Sequence, residues 1–182
     1  MITLITPPTD TPISVEEARE QCRIDGTGED AFLEQAINAA THWIETYTGQ
    51  RLVTQTVSFT TDTTEQLWRL PVSPIQNVTG IEYIDTAGTT GTVDPDSYVV
   101  RKTGMYPSIV LASNATWPNR QYGSQITVTA VVGFGDPADV PDDIRLAVKI
   151  LVSAIYDNRG AIPDDAGRTL DWLLERHRRI AV

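Results

Sequence analysis

The segment Gly133-Phe-Gly135-Asp-Pro-Ala138 has the spacing of a dinucleotide-binding loop, and it stands between a strand-like and a helix-like stretch. A pyrophosphate held there needs free amides at the helix start. Pro137 removes one such donor, and Asp136, Asp139, Asp142 and Asp143 would repel the ligand. These residues predict instead a turn that uses glycine to leave a strand. Metal chemistry has little to work with. His42 and His177 are the only histidines, Cys22 is the only cysteine, and none of them stands at ligand spacing to another. Asp94-Pro-Asp96 and Asp164-Asp165 lack the ligand count of a calcium loop and suit a turn and a solvated run. No G-x-S-x-G elbow occurs, Cys22 has no histidine partner in its sequence context, and acid pairs such as Glu16-Glu17 are too common in so acidic a chain to mark acid–base catalysis. The expectation is a protein with no catalytic residue, no metal and no cofactor.

What remains is surface. Trp117, in a loop-like stretch, and Trp172, near the C-terminus, suit either protein contact or local packing, since Trp and Arg are the residues most enriched at interface hot spots. Trp43, inside a helical pattern, reads as core. The formal net charge is −10. Residues 1–50 carry nine acids and two bases, whereas residues 168–182 carry four arginines and two acids. Such a body repels a phosphate backbone, which argues against a stable nucleic-acid groove but not against nucleic acid passing nearby; solubility alone would also account for the acidity. No apolar run approaches the roughly 20 residues of a membrane helix, and the start has no basic leader, so a reducing cytoplasm without membrane attachment is expected. One cysteine cannot form an internal disulfide, and Cys22 reads as a buried thiol.

The elements that would carry these surfaces are legible in outline. Ser14-Val-Glu-Glu17 has capping-box spacing and predicts a helix to about Cys22. Phe32, Leu33, Ala36, Ile37, Ala40, Trp43, Ile44 and Tyr47 form one apolar face of a second helix that stops at Gly49, with Glu34, Asn38 and Glu45 opposite. From Val53 the period changes to two, predicting antiparallel strands at 53–61, 66–70, 78–84, 97–101, 108–112 and 125–132, with a hairpin tip at Asp85-Thr-Ala-Gly88. Pro141, Asp142 and Asp143 open a third helix whose inner face is Ile144, Val148, Leu151, Val152 and Ile155. Pro163 and Gly167 bracket a linker, and a short helix over Arg168 to Arg179 gathers its arginines near its own negative end. The fold class is α+β: a helical core of two N-terminal helices, one long helix after residue 140 and a short C-terminal helix, with an inserted antiparallel β segment. The expected divisions are 1–52 (N-terminal section of the helical core), 53–134 (β-rich insertion), 135–160 (C-terminal core helix) and 161–182 (linker and basic tail helix).

An ordered set of islands runs through the chain: Ile5-Thr-Pro-Pro8, Pro12-Ile-Ser-Val-Glu-Glu-Ala18, Arg23-Ile-Asp25, Asp30-Ala-Phe-Leu33 and Ile44-Glu-Thr-Tyr-Thr-Gly49. It continues through Leu70-Pro-Val-Ser-Pro-Ile-Gln-Asn-Val78, Trp117-Pro118, Val132-Gly-Phe-Gly135, Val140-Pro-Asp-Asp-Ile-Arg145, Tyr156-Asp-Asn-Arg159 and Leu173-Leu174. The set resembles the head-to-tail connector, or adaptor, proteins of tailed bacteriophages and related gene transfer agents. Glu175-Arg-His177 departs from it, standing where the family usually has a proline and a tyrosine. The resemblance implies a ring of copies, usually twelvefold, beneath the portal of a virion or phage-like particle made in a bacterial cytoplasm. Its partners would be the portal protein, its own copies and a downstream stopper or tail-completion protein, with DNA passing through the channel without specific binding. It also implies portal contacts in the tail, with Arg168, Leu170, Trp172, Leu173, Leu174, Arg176, Arg178 and Arg179 as candidates. Asp30, Glu34, Asn38 and Glu45 are candidates for the channel wall, and Trp117 for a further interface. The alternative from another class is a carbohydrate- or peptide-binding module using the β segment and Trp117.

Overall fold

The computed structural model describes residues 2–102, 106–158 and 163–179. It divides into two compact units, one of Thr9–Val53 with Gly135–Val182 and one of Met1–Pro8 with Thr54–Phe134.

The first unit is helical. Helix α1, Val15–Cys22, starts at the expected capping box: the Glu17 amide donates to Ser14 Oγ at 3.1 Å, and the Ser14 amide to a Glu17 carboxylate oxygen at 2.9 Å. Helix α2, Asp30–Thr48, ends where Gly49 takes a φ of 69° and its amide reaches the Glu45 carbonyl. Helix α3 is Asp142–Asn158, and Pro141 sits just outside it, its carbonyl accepting from the Arg145 amide. Helix α2 packs on α3 through Leu33, Ala36, Ile37, Ala40 and Ile44 on one side and Ile144, Ala147, Val148, Leu151 and Val152 on the other, all buried. Each fully buried Leu or Ile contributes on the order of 1.5–3 kcal/mol, which makes this seam the main stabilising element of the unit. Helix α4, Asp164–Leu174, packs on α3 and continues into a 3₁₀ turn at Glu175–His177.

Two expectations change here. Trp43 is 39% exposed and stacks on Tyr47 with ring centroids 5.1 Å apart, so it lies at the rim of the α2 face rather than in the core. The last helix begins at Asp164, capped by Pro163, so Gly167 lies within helix and not in a linker. Arg159, Gly160 and the rest of that expected linker to Ile162 lie outside the described residues, as do Ile180 to Val182.

The second unit is a sheet. Strands β1 (Ile2–Thr6), β2 (Gln55–Thr61), β3 (Ile75–Ile84), β4 (Thr90–Thr92) and β7 (Ile126–Val132) pair antiparallel in the order β1-β2-β7-β3-β4. Strands β5 (Tyr98–Arg101) and β6 (Ser108–Leu111) form a separate two-stranded sheet. The alternation that predicted β2 and β7 is physical: Val57, Phe59, Val128 and Ala130 point to one face and are buried with Leu67, Leu70, Val72, Ile81 and Ile109. At the expected hairpin tip, Asp85 Oδ1 accepts from the Ala87 and Thr89 amides at 2.8 Å each.

The strand expected at 66–70 is instead a 3₁₀ turn at Glu65–Trp68, with the Leu67 amide donating to the Thr64 carbonyl and the Arg69 amide to that of Gln66. Leu67 and Leu70, three residues apart, both face the core, a helical spacing rather than an alternating one. Residues 2–6, expected within the N-terminal helical division, form β1 of the sheet unit, because β2 offers them a row of main-chain partners from Thr56 to Phe59.

Gly135 has a φ of 146°, and a Cβ there would overlap the Asp139 carboxylate. Gly135→Ala should therefore destabilise the chain by about 1–3 kcal/mol, read as a lower denaturant midpoint with an unchanged m-value. An unchanged midpoint would show that the turn relaxes freely.

Candidate functional site

The segment that mimics a phosphate loop is closed by its own side chains. The Asp136 amide donates to Asp139 Oδ2 at 2.9 Å, and Pro137 opens a 3₁₀ turn at Pro137–Asp139 instead of a helix N-terminus. Most of the other candidates for chemistry are also occupied. Asp94 Oδ1 accepts from the Asp96 amide at 3.0 Å, forming a turn. His177 Nε2 lies 2.8 Å from Asp143, and His42 is exposed on α2. Cys22 is partly buried; burial first, and the Asp157 charge second, push its thiol pKa up, against a weaker opposing hydrogen bond with Ser153. A thiol so shifted is a poor nucleophile. Among the described residues no group of three or more His, Cys, Asp or Glu is placed to hold a metal ion, and no helix is long and apolar enough to cross a membrane.

The basic C-terminal segment is bound to the helical unit at four points. Tyr47 donates its hydroxyl to Asp171 at 2.7 Å, and this bond, ahead of burial, raises the tyrosine pKa. Arg176 and His177 both engage the Asp143 carboxylate. Arg178 lies over the Tyr47 ring, 5.2 Å from its centroid. The Arg179 amide donates to the Thr48 carbonyl at 2.9 Å and its guanidinium to that of Gly49 at 3.2 Å. The expectation that these arginines serve the negative end of their own helix is thus corrected for Arg179, which caps the carbonyl end of α2.

These contacts sort the tail candidates. Leu170, Leu173 and Leu174 are buried, 1%, 8% and 0% exposed, and hold α4 in the unit, so in this conformation they present no contact surface. Arg176, Arg178 and Arg179 are engaged as described. Trp172, 77% exposed, and Arg168 point to solvent.

The acidic candidates on α2 divide similarly. Glu45 is corrected from the solvent face to the interior: it is 9% exposed, pairs with Arg51 at 2.9 Å and accepts the Leu52 amide at 2.9 Å. Its helical position faces outward, but Arg51 and Leu52, just past the helix end, fold back over it. Asp30 faces Arg19 Nε at 3.1 Å, an ion pair without the linear geometry of a hydrogen bond. Glu34 and Asn38 are exposed. Trp117 is partly buried against the sheet core and also lines an open groove with Trp68, Val110 and Leu111.

Sequence reasoning missed a charged cluster in which Glu17 Oε1 meets Arg145 and Lys149, each at 2.8 Å. Arg145 also donates to the Pro12 carbonyl at 3.3 Å, tying the entry of α1 to α3. The spacing of Arg145 and Lys149, one helical turn apart, was the available signal. Burial works to raise the pKa of Glu17 and of Asp143. The hydrogen bonds and charges of Lys149, Ser14 and Arg145 on the first, and of His177 and Arg176 on the second, outweigh it and hold both carboxyls low.

Among the described residues, the polar clusters around Glu17, Asp143 and Glu45 are engaged in holding the fold. Residues 11–160 match the family described as head completion protein, and the chain belongs to that family. Among solved structures, the chain is similar over its full length to a chain in the neck of an empty GTA particle computed with C6 symmetry, at 25% identity, a TM-score of 0.81 and 97% coverage of that chain. It is also similar to a chain in the virion of a native gene transfer agent (GTA) particle, at 26% identity and a TM-score of 0.77, again covering 100% of this chain and 97% of that one. A chain in the neck of a native GTA particle computed with C12 symmetry, at 24% identity and a TM-score of 0.81 with the same coverage, shares the fold. A comparison with curated proteins finds no match.

Glu17 and Asp143 bind fewer protons folded than unfolded. Their pairing therefore stabilises the fold fully above the unfolded carboxylate pKa of about 4 and is lost as the pH falls through the lowered folded values. Thermal melts from pH 7 to pH 3 should fall steeply at the acid end. Asp143→Asn should lower stability by about 1 kcal/mol at pH 7, since the exposed Arg176 is screened by solvent, and should flatten the acid limb; an equally steep limb in the variant would remove Asp143 from this account. Glu45→Ala, which strips Arg51 and the Leu52 amide of their partner, should cost about 1–3 kcal/mol by denaturant titration.

Proposed function

We propose that this chain is a ring-forming adaptor between the portal of a capsid and the tail or stopper of a gene transfer agent or related phage-like particle. The observation that carries this reading is the end-to-end similarity to chains of GTA neck and virion structures, with 97% of each matched chain covered. Family membership as a head completion protein agrees with it. The C6 and C12 symmetries of the matched necks support a cyclic arrangement of copies. The acidic body, at −10 per chain, suits the wall of a channel through which DNA moves without adhering. On α2, Glu34 and Asn38 are the channel-lining candidates whose side chains remain presented to solvent. No step of this role calls for a reaction centre.

On this reading Trp172 and Arg168 are the portal contacts, because they are exposed and, unlike the equally exposed Arg176 and Arg178, are not engaged with Asp143 or Tyr47, while the leucines close the fold. The carbohydrate- or peptide-binding reading is less well served: Trp117 lines the open groove beside Trp68 but is partly buried against the sheet core.

Truncation at Gly167 would remove three core leucines and unfold the helical unit, so surface variants give the cleaner test. Trp172→Ala combined with Arg168→Ala should leave the melting curve within about 0.5 kcal/mol of the parent. It should weaken binding to portal-bearing capsids by roughly 30-fold or more, as expected when a hot-spot tryptophan is lost. Undiminished binding would refute the portal-contact assignment.

A further inference from the structure

Strand β1 is anomalous as an edge strand. It is uncharged throughout, and all five residues are exposed, among them Ile2 at 38%, Leu4 at 52% and Ile5 at 56%. Native edges are usually blunted by a charge, a bulge or a cover. Here the only irregularity falls between Leu4 and Thr6. The pairing of Ile2 with Phe59 and of Leu4 with Val57 puts both β1 side chains on the face of the sheet where Phe59 and Val57 are buried. The apolar layer of the sheet therefore runs past its own cover into solvent, and among the described residues no strand lies beside the outer side of β1 in the sheet.

A second apolar surface lies on the same unit. In the β5–β6 pair, Tyr98, Val100 and Ile109 face the core, and the register places Val99 beside Val110 on the opposite face. Val99 is 51% exposed, and Trp68, 66% exposed, flanks the groove that Val110 lines. Among the described residues, Arg101 is the one charged side chain lining this groove.

We infer that β1 of one copy seats against the Trp68–Val99–Val110 surface of the next copy, and that this is the repeating contact of the ring. The inference rests on the ring reading above and assigns its interface. Closure of a ring of more than two copies requires a heterologous contact, in which two different patches of each chain meet, and these are two different apolar patches. Copies of net charge −10 repel one another except where they approach through uncharged surface, and residues 1–9 carry no charged side chain. The far edge strand β4 is a weaker receiver, being three residues of Thr-Gly-Thr.

The test uses particles or reconstituted necks carrying the full chain in a Cys22→Ser background, treated with a short bis-maleimide. Leu4→Cys with Val99→Cys in the same chain should give a ladder of multimers. A mixture of the two single variants should give dimers only, and each single variant alone should give none. Leu4→Lys, at a half-exposed position, should keep the parent melting temperature and enter necks at least tenfold less often. Rings seen by electron microscopy without the ladder, self-linking of Leu4→Cys alone, linking of Leu4→Cys to a different protein, or normal entry of Leu4→Lys would each overturn the contact while leaving the ring reading intact. Necks in which this chain forms no ring would overturn both.

Discussion

The apolar seam between α2 and α3 is what the rest of the helical unit depends on. Leu33, Ile37 and Ile44 meet a face made of Ile144, Val148 and Leu151, although about a hundred residues separate the two sets along the chain. Closing that loop carries an entropic cost that grows only slowly with length, so a continuous buried face can offset it. Once the seam is made, Val53 and Gly135 lie side by side as a parallel bridge, and the stretch between them can fold as a sheet with its own core. The family match spans both halves of the seam and everything between them.

The charged groups gain meaning from the same seam. Glu17 on α1 reaches Arg145 and Lys149 on α3, and Asp143 at the start of α3 receives Arg176 and His177 from the end of the chain. Each is a carboxylate partly removed from water and held ionised by its partners, so what it contributes to stability is lost in acid. The arginines of the tail thus have a local task. Arg179 satisfies carbonyls left open at the end of α2, and Arg178 covers Tyr47. A basic stretch at the end of an acidic chain reads in sequence as a free arm; in the fold Arg176, Arg178 and Arg179 are engaged with the helical unit, while Trp172 and Arg168 point to solvent.

How far the sequence was legible follows the range of the interactions. Ser14 with Glu17, Gly49 and the alternation of β2 are local signals, and the structure shows them where the pattern put them. Leu67 and Leu70 carried a helical spacing too short to stand out against a run of strands. Strand β1 had no signal of its own, because five residues form a strand only when β2 supplies the partner. Glu45 shows the limit of helical periodicity: its position belongs to the polar side of α2, and it is buried only because Arg51 and Leu52 turn back over it. The buried roles of Leu170, Leu173 and Leu174 depended likewise on α4 packing against α3, a contact that charge counting along the chain does not reveal.

In the proposed role the chain acts by position, through an acidic body, closed polar clusters, and apolar patches in two places on the sheet unit. In that role, copies of the chain would surround an axial channel at the neck of a particle. The most direct measurement is an electron-microscopy reconstruction of the neck of particles that contain this chain, made without imposed symmetry. The account predicts a closed ring of copies between the capsid vertex and the tail, enclosing an open channel. Density for the chain elsewhere in the particle, or as isolated copies that enclose no channel, would contradict it.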